Sequence, residues 1–316
     1  PNVEVVALCD NYRPHLEDAA QYYPQAKQYD DYRRLLEDNN VQGVIIATPL
    51  YLHGRMTMDA LRAGKRVFCE KSMAYTMDEA LEVYNRRKEL GGVLFIGQQR
   101  LFDPKYVKAM QMIHEGVIGD VVGVRNYWYR NNDWRREVPS PELERHINWR
   151  LYSEYSRGLM TELACHQLQN GSWAMGQLPK QVMGAGSLIH WDKEDERDVY
   201  DNVSAIFTYP NGVNMTFESI ISNKHVGMGE QILGTKGTID LVTAMHYTDE
   251  PAPKGSGMHQ LIEQIESGVM SNSVFAGTSW AAESSALAPG MPIMQNVKVV
   301  SGESSVGAEA DGSKEL

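Results

Sequence analysis

The sequence is short of several things that would each have fixed its class early. Among 316 residues there are only three cysteines, Cys9, Cys69 and Cys165. They are odd in number, far apart and set in apolar surroundings, so a reducing compartment or simple burial explains them better than a disulfide framework, and a cytoplasmic location is expected with the periplasm as the alternative. No metal-ligand spacing is present, so no metal is expected. No run approaches the roughly 18 apolar residues a membrane helix needs, and Pro1-Asn2-Val3-Glu4 has neither a basic nor an apolar leader character. Positive charge is in deficit as well: 30 Lys and Arg against 41 Asp and Glu leave a formal net charge of −11, without the basic footprint of a nucleic-acid binder. The 42% hydrophobic content is that of a globular chain, and the length suits two domains.

What is present in the first hundred residues alternates. Val3 to Asp10 reads as a buried strand, and helical spacing follows for some twenty residues. A second short helix runs through Tyr32, Leu35 and Leu36. Val44-Ile45-Ile46-Ala47 is a strand closed by Thr48-Pro49, followed by a helix from about Gly54 to Ala63. Arg66 to Glu70 is a strand, and Thr76 with Glu79 has capping-box spacing for a helix from Met77 to Leu90. Gly91-Gly92 ends that helix before the strand Val93 to Ile96. Short apolar runs separated by helices predict βαβ units and a doubly wound parallel Rossmann sheet over residues 1–102.

Ligands of such sheets sit beyond the carboxyl ends of the strands. The residues there are Asp10, Thr48, Pro49, Glu70, Lys71, Gln98 and Arg100, and His53 joins them on the helix after Thr48-Pro49. A carboxylate in the place of Asp10 hydrogen-bonds a ribose 2′-hydroxyl and repels a 2′-phosphate, which favours NAD over NADP; equally, Asp10 could only cap the following helix. The Gly-x-Gly-x-x-Gly turn that should lie about 20 residues upstream is absent, so the sheet is expected to lack its first βα unit and central strand. The polar stretch from Ser301 to Leu316 closes on no recognisable element.

From 103 onward the pattern changes to an α+β domain, expected over 103–316. A helix spans Lys105 to Ile113, and Asp120 to Arg130 is a long strand. Val203–Tyr209 and Val213–Ile220 flank Asn211-Gly212, the strongest short hairpin signal. Val182 to His190 and Gln231 to Leu241 add strands to an open, mostly antiparallel sheet. Arg157 to Leu168 reads as a helix entered through Gly158, with Glu162 and His166 four apart on one face.

Taken in order, the Asp-ended strand, Ile46-Ala47-Thr48-Pro49, Cys69-Glu70-Lys71-Ser72, Gly97-Gln98-Gln99-Arg100 and the Gly158 helix bearing Glu-x-x-x-His give the chain a resemblance, over about residues 1–241, to the Gfo/Idh/MocA oxidoreductases. That resemblance implies a Rossmann domain, a second domain whose open sheet often joins protomers into a homo-oligomer, and NAD(P)-dependent oxidation of a sugar or cyclitol hydroxyl. Lys71 then matches the lysine between nicotinamide and substrate, His166 the histidine that acts as base, and Glu162 the aspartate that orients it. Four positions depart from the pattern: Ser72 stands for proline, Leu50 for asparagine, Glu162 for aspartate and Gln169 for an acidic residue. Histidine is also the side chain whose ordinary pKa suits proton removal near neutrality.

Trp128, Tyr129, Trp134, Trp149, Tyr152 and Tyr155 are interleaved with Arg130, Arg135, Arg136, Arg145, Arg150 and Arg157. Aromatic faces beside guanidinium donors suit a polyhydroxylated ligand, and Arg100, Tyr129, Trp149 and Arg157 are the expected substrate contacts, with at least half of the aromatics serving core or interface. Two other functions fit the same residues: an NAD-dependent glycoside-cleaving enzyme working by transient oxidation, and a non-catalytic sugar or cofactor sensor.

Overall fold

The computed structural model describes residues 3–193 and 195–248, and the stretch Ser301 to Leu316 lies outside them. The chain folds as a parallel Rossmann-like half followed by a mostly antiparallel sheet. In the first half β1 (Ala7–Cys9) and β2 (Lys27–Tyr29) pair in parallel, joined by α1 (Arg13–Tyr22). After α2 (Tyr32–Leu36), β3 (Gly43–Ile46), β4 (Arg66–Glu70) and β5 (Leu94–Gly97) form a second parallel ladder through α3 (Leu50–Arg62) and α4 (Met77–Leu90). The Thr76–Glu79 capping box forms in both directions, and Gly91 ends α4 in the left-handed region at φ 61°. The core of this half packs Ile46, Val67 and Cys69 against Ala60 and Leu61 of α3. Among the described residues the two ladders share no hydrogen-bonded strand pair. Ile45, Phe68 and Phe95, register partners across the second ladder, face the other way, and Ile45 is 78% exposed.

The second half begins with α5 (Pro104–His114) and β6 (Val121–Tyr129), passes through α6 (Glu144–Ile147) and α7 (Cys165–Met175), and supplies β7 (Gln181–Ser187), β8 (Asn202–Thr208), β9 (Asn214–Ile220), β10 (Met228–Gly234), β11 (Gly237–Asp240) and β12 (Met245–Thr248). Their order is β12-β11-β10-β6-β9-β8-β7, with β6 and β9 parallel and every other neighbour antiparallel. The Asn211-Gly212 turn closes the β8–β9 hairpin with Gly212 at φ 89°. One face of the sheet carries Val124, Met215 and Ile232, which pack against Tyr106, Met110 and Ile113 of α5 and Ala174 of α7. No helix among the described residues is long and apolar enough to cross a membrane.

Four local expectations need correction. The helical stretch after Asp10 ends at Tyr22, and β2 follows, a three-residue strand in which only Tyr29 is buried and no apolar period can show. α3 starts at Leu50, four residues earlier than its spacing indicates, because Pro49 occupies the N-cap. The run from Gln231 to Leu241 is two strands, since Thr235 and Lys236 turn the chain back. The helix after Gly158 opens with a π turn, Met160–Ala164, before α7 begins.

Candidate active site

The ends of β1, β3, β4 and β5 lie at the carboxyl edge of their ladders, and each delivers a polar group. Asp10 Oδ1 accepts the Tyr12 amide at 2.7 Å and Oδ2 lies 3.6 Å from His15 Nδ1, leaving a half-buried carboxylate at the strand end. The Tyr12 bond turns the chain ahead of α1 without capping it, since the N-cap is Tyr12 and receives no side-chain hydrogen bond, and the Asp10 carboxylate stays part exposed. Thr48 and Pro49 make the turn into α3. His53, expected to face a cofactor, is 2% exposed instead. Its Nε2 and Nδ1 lie 2.7 Å from the carbonyls of Thr48 and Ser72, so it ties two strand ends together from beneath. Gly97 has no room for a Cβ, which would fall 2.8 Å from a Glu70 carboxylate oxygen; the close approach lets that carboxylate take the Lys71 amide at 3.2 Å. Gln98 caps the 3₁₀ turn Gln99–Phe102 that carries Arg100.

Lys71 and Ser72 reach across to the π turn. Lys71 Nζ donates to the Glu162 carbonyl at 3.0 Å and Ser72 Oγ to that of Thr161 at 3.0 Å. Serine in place of proline thus gives this loop a side-chain tie. Gly158, at φ 63°, starts the turn, and its carbonyl accepts the amides of Thr161 and Glu162. Single π turns recur at functional sites because they displace the side chains that follow.

The pairing expected between Glu162 and His166 is not formed. The Glu162 carboxylate, one methylene longer than aspartate, accepts Arg150 Nε at 3.0 Å and lies 3.7 Å from Lys71 Nζ through the same oxygen. His166 is 5% exposed, its Nδ1 is buried without a hydrogen-bond partner, and its ring packs 6.0 Å from that of Trp128. Burial first, then the charges of Arg100 and Lys71, lower its pKa to about 3. The imidazole is neutral at any ordinary working pH.

Arg100, expected to contact substrate, is instead ion-paired with Glu230, which is fully buried. Asn170 Nδ2 donates to the other Glu230 oxygen at 2.7 Å, and Tyr106 Oη to the first at 3.4 Å. Tyr129 also departs from expectation: strand neighbours point to opposite faces, and its hydroxyl donates to Glu218 at 2.9 Å beside Tyr127 on the outer face of the sheet. Trp128 is the residue of β6 that meets His166, with Arg100 and Arg130 each 5.5 Å from its ring. Trp149 lies under the Arg150 guanidinium at 4.3 Å. Arg157 stacks on Tyr75 at 4.0 Å, donates Nε to the Tyr75 carbonyl at 3.4 Å and is exposed. Trp128 and Arg150 sit in the aromatic and basic segment the sequence singles out. The inward parity of Trp128 with buried Val124 and Asn126 is the signal that distinguishes it from Tyr129. Glu230 gives no such signal beyond a carboxylate sharing parity with Ile232.

His166 links the site to stability. An unfolded histidine takes a proton near pH 6.5, the folded one only near pH 3. The folded state's full advantage is present above about pH 6.5 and is lost as pH falls from there toward 3, at up to about 1.4 kcal/mol per pH unit. Urea midpoints should therefore drop between pH 6.5 and 5 by more in the parent protein than in His166→Gln. Equal acid sensitivity of the two would refute the buried neutral imidazole.

Comparison with known proteins places these features. Residues 1–98 match the model of the oxidoreductase family with an NAD-binding Rossmann fold, and residues 106–240 match the GFO/IDH/MocA C-terminal domain. The chain is 24% identical over 247 residues to scyllo-inositol 2-dehydrogenase (NAD(+)) of Bacillus subtilis (strain 168), covering 78% of this chain and 68% of that protein. It is 27% identical over 245 residues to levoglucosan dehydrogenase of Pseudarthrobacter phenanthrenivorans, covering 70% of this chain and 60% of that one. Among solved structures, an oxidoreductase domain protein from Kribbella flavida superposes with a TM-score of 0.65 at 24% identity, covering 75% of this chain and 64% of that one. The chain thus spans about two thirds of the length of these proteins.

Proposed function

The chain belongs to the Gfo/Idh/MocA family, and from that premise we propose that it is an NAD-dependent oxidoreductase that oxidises a secondary hydroxyl of a sugar or cyclitol. The observation that carries the reading is the meeting of Lys71, from the end of β4, with the π turn that leads into His166, through the 3.0 Å bond from Lys71 Nζ to the Glu162 carbonyl. The bond brings a strand-end cation of β4 close to a neutral imidazole on the first turn of α7. The names of the relatives, an inositol and a levoglucosan dehydrogenase, support the substrate class.

The residues present fit the dinucleotide. Asp10 keeps a part-exposed carboxylate at a strand end, suited to ribose hydroxyls and poorly suited to a 2′-phosphate. Thr48, Pro49 and Gln98 line the neighbouring strand ends, and Lys71 stands where the nicotinamide and the substrate would meet. When bound, the cofactor accepts the hydride.

The chain's own groups handle the proton. Neutral His166 accepts it from the substrate hydroxyl, and Lys71 stabilises the oxyanion as it develops. The cations that depress the histidine also lower the cost of the alkoxide, so His166 gains basicity as negative charge builds beside it. Glu162 offsets Lys71 and Arg150 together and keeps both side chains in place. Formation of reduced nicotinamide on mixing the protein, NAD and candidate polyols tests the reading; NAD should be preferred over NADP. Turnover with neither cofactor would overturn it.

The face of the second sheet turned away from the helices carries Arg125, Tyr127, Tyr129 and Glu218, with Ile206 half exposed. We assign this face to contact between copies of the chain, in keeping with a homo-oligomer.

A further inference from the structure

With Glu162 drawn to Arg150 and Lys71, the group expected to orient His166 is engaged elsewhere. A neutral imidazole that takes a proton at one ring nitrogen carries its own proton on the other, and that N–H needs an acceptor. In His166 the sealed nitrogen is Nδ1, buried without a hydrogen-bond partner among the described residues.

Four other side chains close a circuit with it. Asn170 follows His166 by four residues in α7, so the two rise from one face of the helix. Asn170 Nδ2 donates to Glu230 at 2.7 Å, and Glu230 stands directly opposite Asn126 in the β6–β10 register. Facing residues of an antiparallel pair hold their Cβ atoms about 4.5–5.5 Å apart. Asn126 shares the inner face of β6 with Trp128, whose ring lies 6.0 Å from that of His166, and there the circuit returns to its start. Gln167 fixes the helix over these strands: its Nε2 donates to the Tyr127 carbonyl of β6 at 3.0 Å and to the Gly229 carbonyl of β10 at 3.1 Å.

The orientation of Asn170 follows from charge. The Glu230 carboxylate, paired with Arg100, only accepts, so Asn170 turns its amide nitrogen toward it and its carbonyl oxygen away. That oxygen is buried, as is Asn126 Nδ2, and neither has a hydrogen-bond partner among the described residues. The circuit thus brings together one acceptor, Asn170 Oδ1, and two donors, Asn126 Nδ2 and a protonated His166 Nδ1. A single water accepts from both donors and donates to the acceptor, and about three bonds is what a buried water ordinarily makes.

We propose that Asn170 is the positioning residue of His166: through one internal water its side-chain carbonyl holds the proton on Nδ1 and leaves Nε2 free to take the proton of the substrate hydroxyl. This rests on the reading of His166 as base and gives Asn170 the part expected of Glu162. Glu230 sets which end of the Asn170 amide faces the histidine, so the buried ion pair with Arg100 serves the tautomer as well as the fold.

The test reads the tautomer directly. Protein labelled with 15N-histidine, free of substrate and cofactor, gives a long-range 1H–15N spectrum near neutral pH in which His166 is assigned by its loss in His166→Gln. The parent protein should show Nδ1 protonated and Nε2 bare, with cross-relaxation between the Nδ1 proton and water. Asn170→Leu should raise the ratio of the Nε2–H to the Nδ1–H form roughly tenfold, the worth of one hydrogen bond, and lower kcat for NAD reduction by a similar factor with KM little changed. Exchanging the amide and the carboxylate, as Asn170→Asp with Glu230→Gln, keeps an oxygen acceptor at 170 and should restore the parent tautomer. An Nε2–H tautomer in the parent protein overturns the proposal without any variant, and so does an Asn170→Leu spectrum with the tautomer unchanged. Should Asn170→Leu fail to fold, Asn126→Leu should lose the cross-relaxation to water, and its persistence at full strength overturns the bridge. If no polyol reduces NAD, the oxidoreductase reading fails, while the tautomer still upholds or overturns the role of Asn170.

Discussion

His166→Ala is expected to lower kcat by roughly 10²–10⁴-fold, the range for loss of a general base, while NAD affinity stays close to that of the parent protein. The imidazole lies on α7 against Trp128 of β6, whereas the groups suited to the dinucleotide stand at the strand ends of the first half. The pH profile is the sharper part of the result. With its pKa held down to about 3, His166 is already neutral across the working range, so kcat/KM should show no acidic limb near pH 6.5 that belongs to this residue. A limb near pH 6.5 in the parent protein that disappears in His166→Ala would show that burial and the two cations do not hold the imidazole neutral. Near-full turnover in His166→Ala would move the role of base to Lys71. Glu162→Gln acts elsewhere: it unbalances Lys71 and Arg150 and leaves the imidazole without any change in direct partner, so its effect belongs in substrate binding more than in the ionisation of His166.

The parts of this fold that were legible from sequence are those in which a local rule and the tertiary contact agree. The capping box at Thr76 and the Asn211-Gly212 hairpin are set by hydrogen bonds within a few residues, and both form as read. β4 ends at Glu70 with Lys71 behind it because a continuous apolar run stops there, and that placed the cation at the carboxyl edge. What was not legible depends on partners distant in the chain. β2 contains Lys27, Gln28 and Tyr29, a strand only because β1 lies beside it. The π turn at Met160–Ala164 has no compositional mark, and it alters how the residues after Gly158 are presented to β4. Tyr129 and Trp128 are adjacent aromatics with equal claim to the ligand until the inner face of β6 is known. Glu162 is drawn from His166 to Arg150 by a guanidinium twelve residues away in sequence, a competition that helical spacing alone cannot settle.

Arg100→Met should cost the fold about 3–5 kcal/mol, the penalty for leaving one member of a buried ion pair uncompensated. Glu230 is fully buried, and without Arg100 its remaining partners are Asn170 and Tyr106, neutral donors at 2.7 and 3.4 Å. Burial already raises its pKa and the Arg100 charge opposes that rise, so removing the guanidinium leaves desolvation to win and the carboxyl binds a proton. Protonation limits the penalty, and stability in this variant should therefore improve as pH is lowered toward 5, against the trend set by His166 in the parent protein. Removing both charges, as Arg100→Met with Glu230→Gln, should recover much of the loss, because an amide can keep the Asn170 contact without carrying a buried charge. The same double variant separates stability from chemistry. With the Arg100 cation gone from beside His166, one of the two charges that depress the imidazole is lost, and its pKa should rise, measurable by NMR titration of the ring protons. A double variant as unstable as Arg100→Met alone would mean that the ion pair is not the source of the cost. An unchanged histidine titration would leave burial and Lys71 as the whole cause of the neutral imidazole.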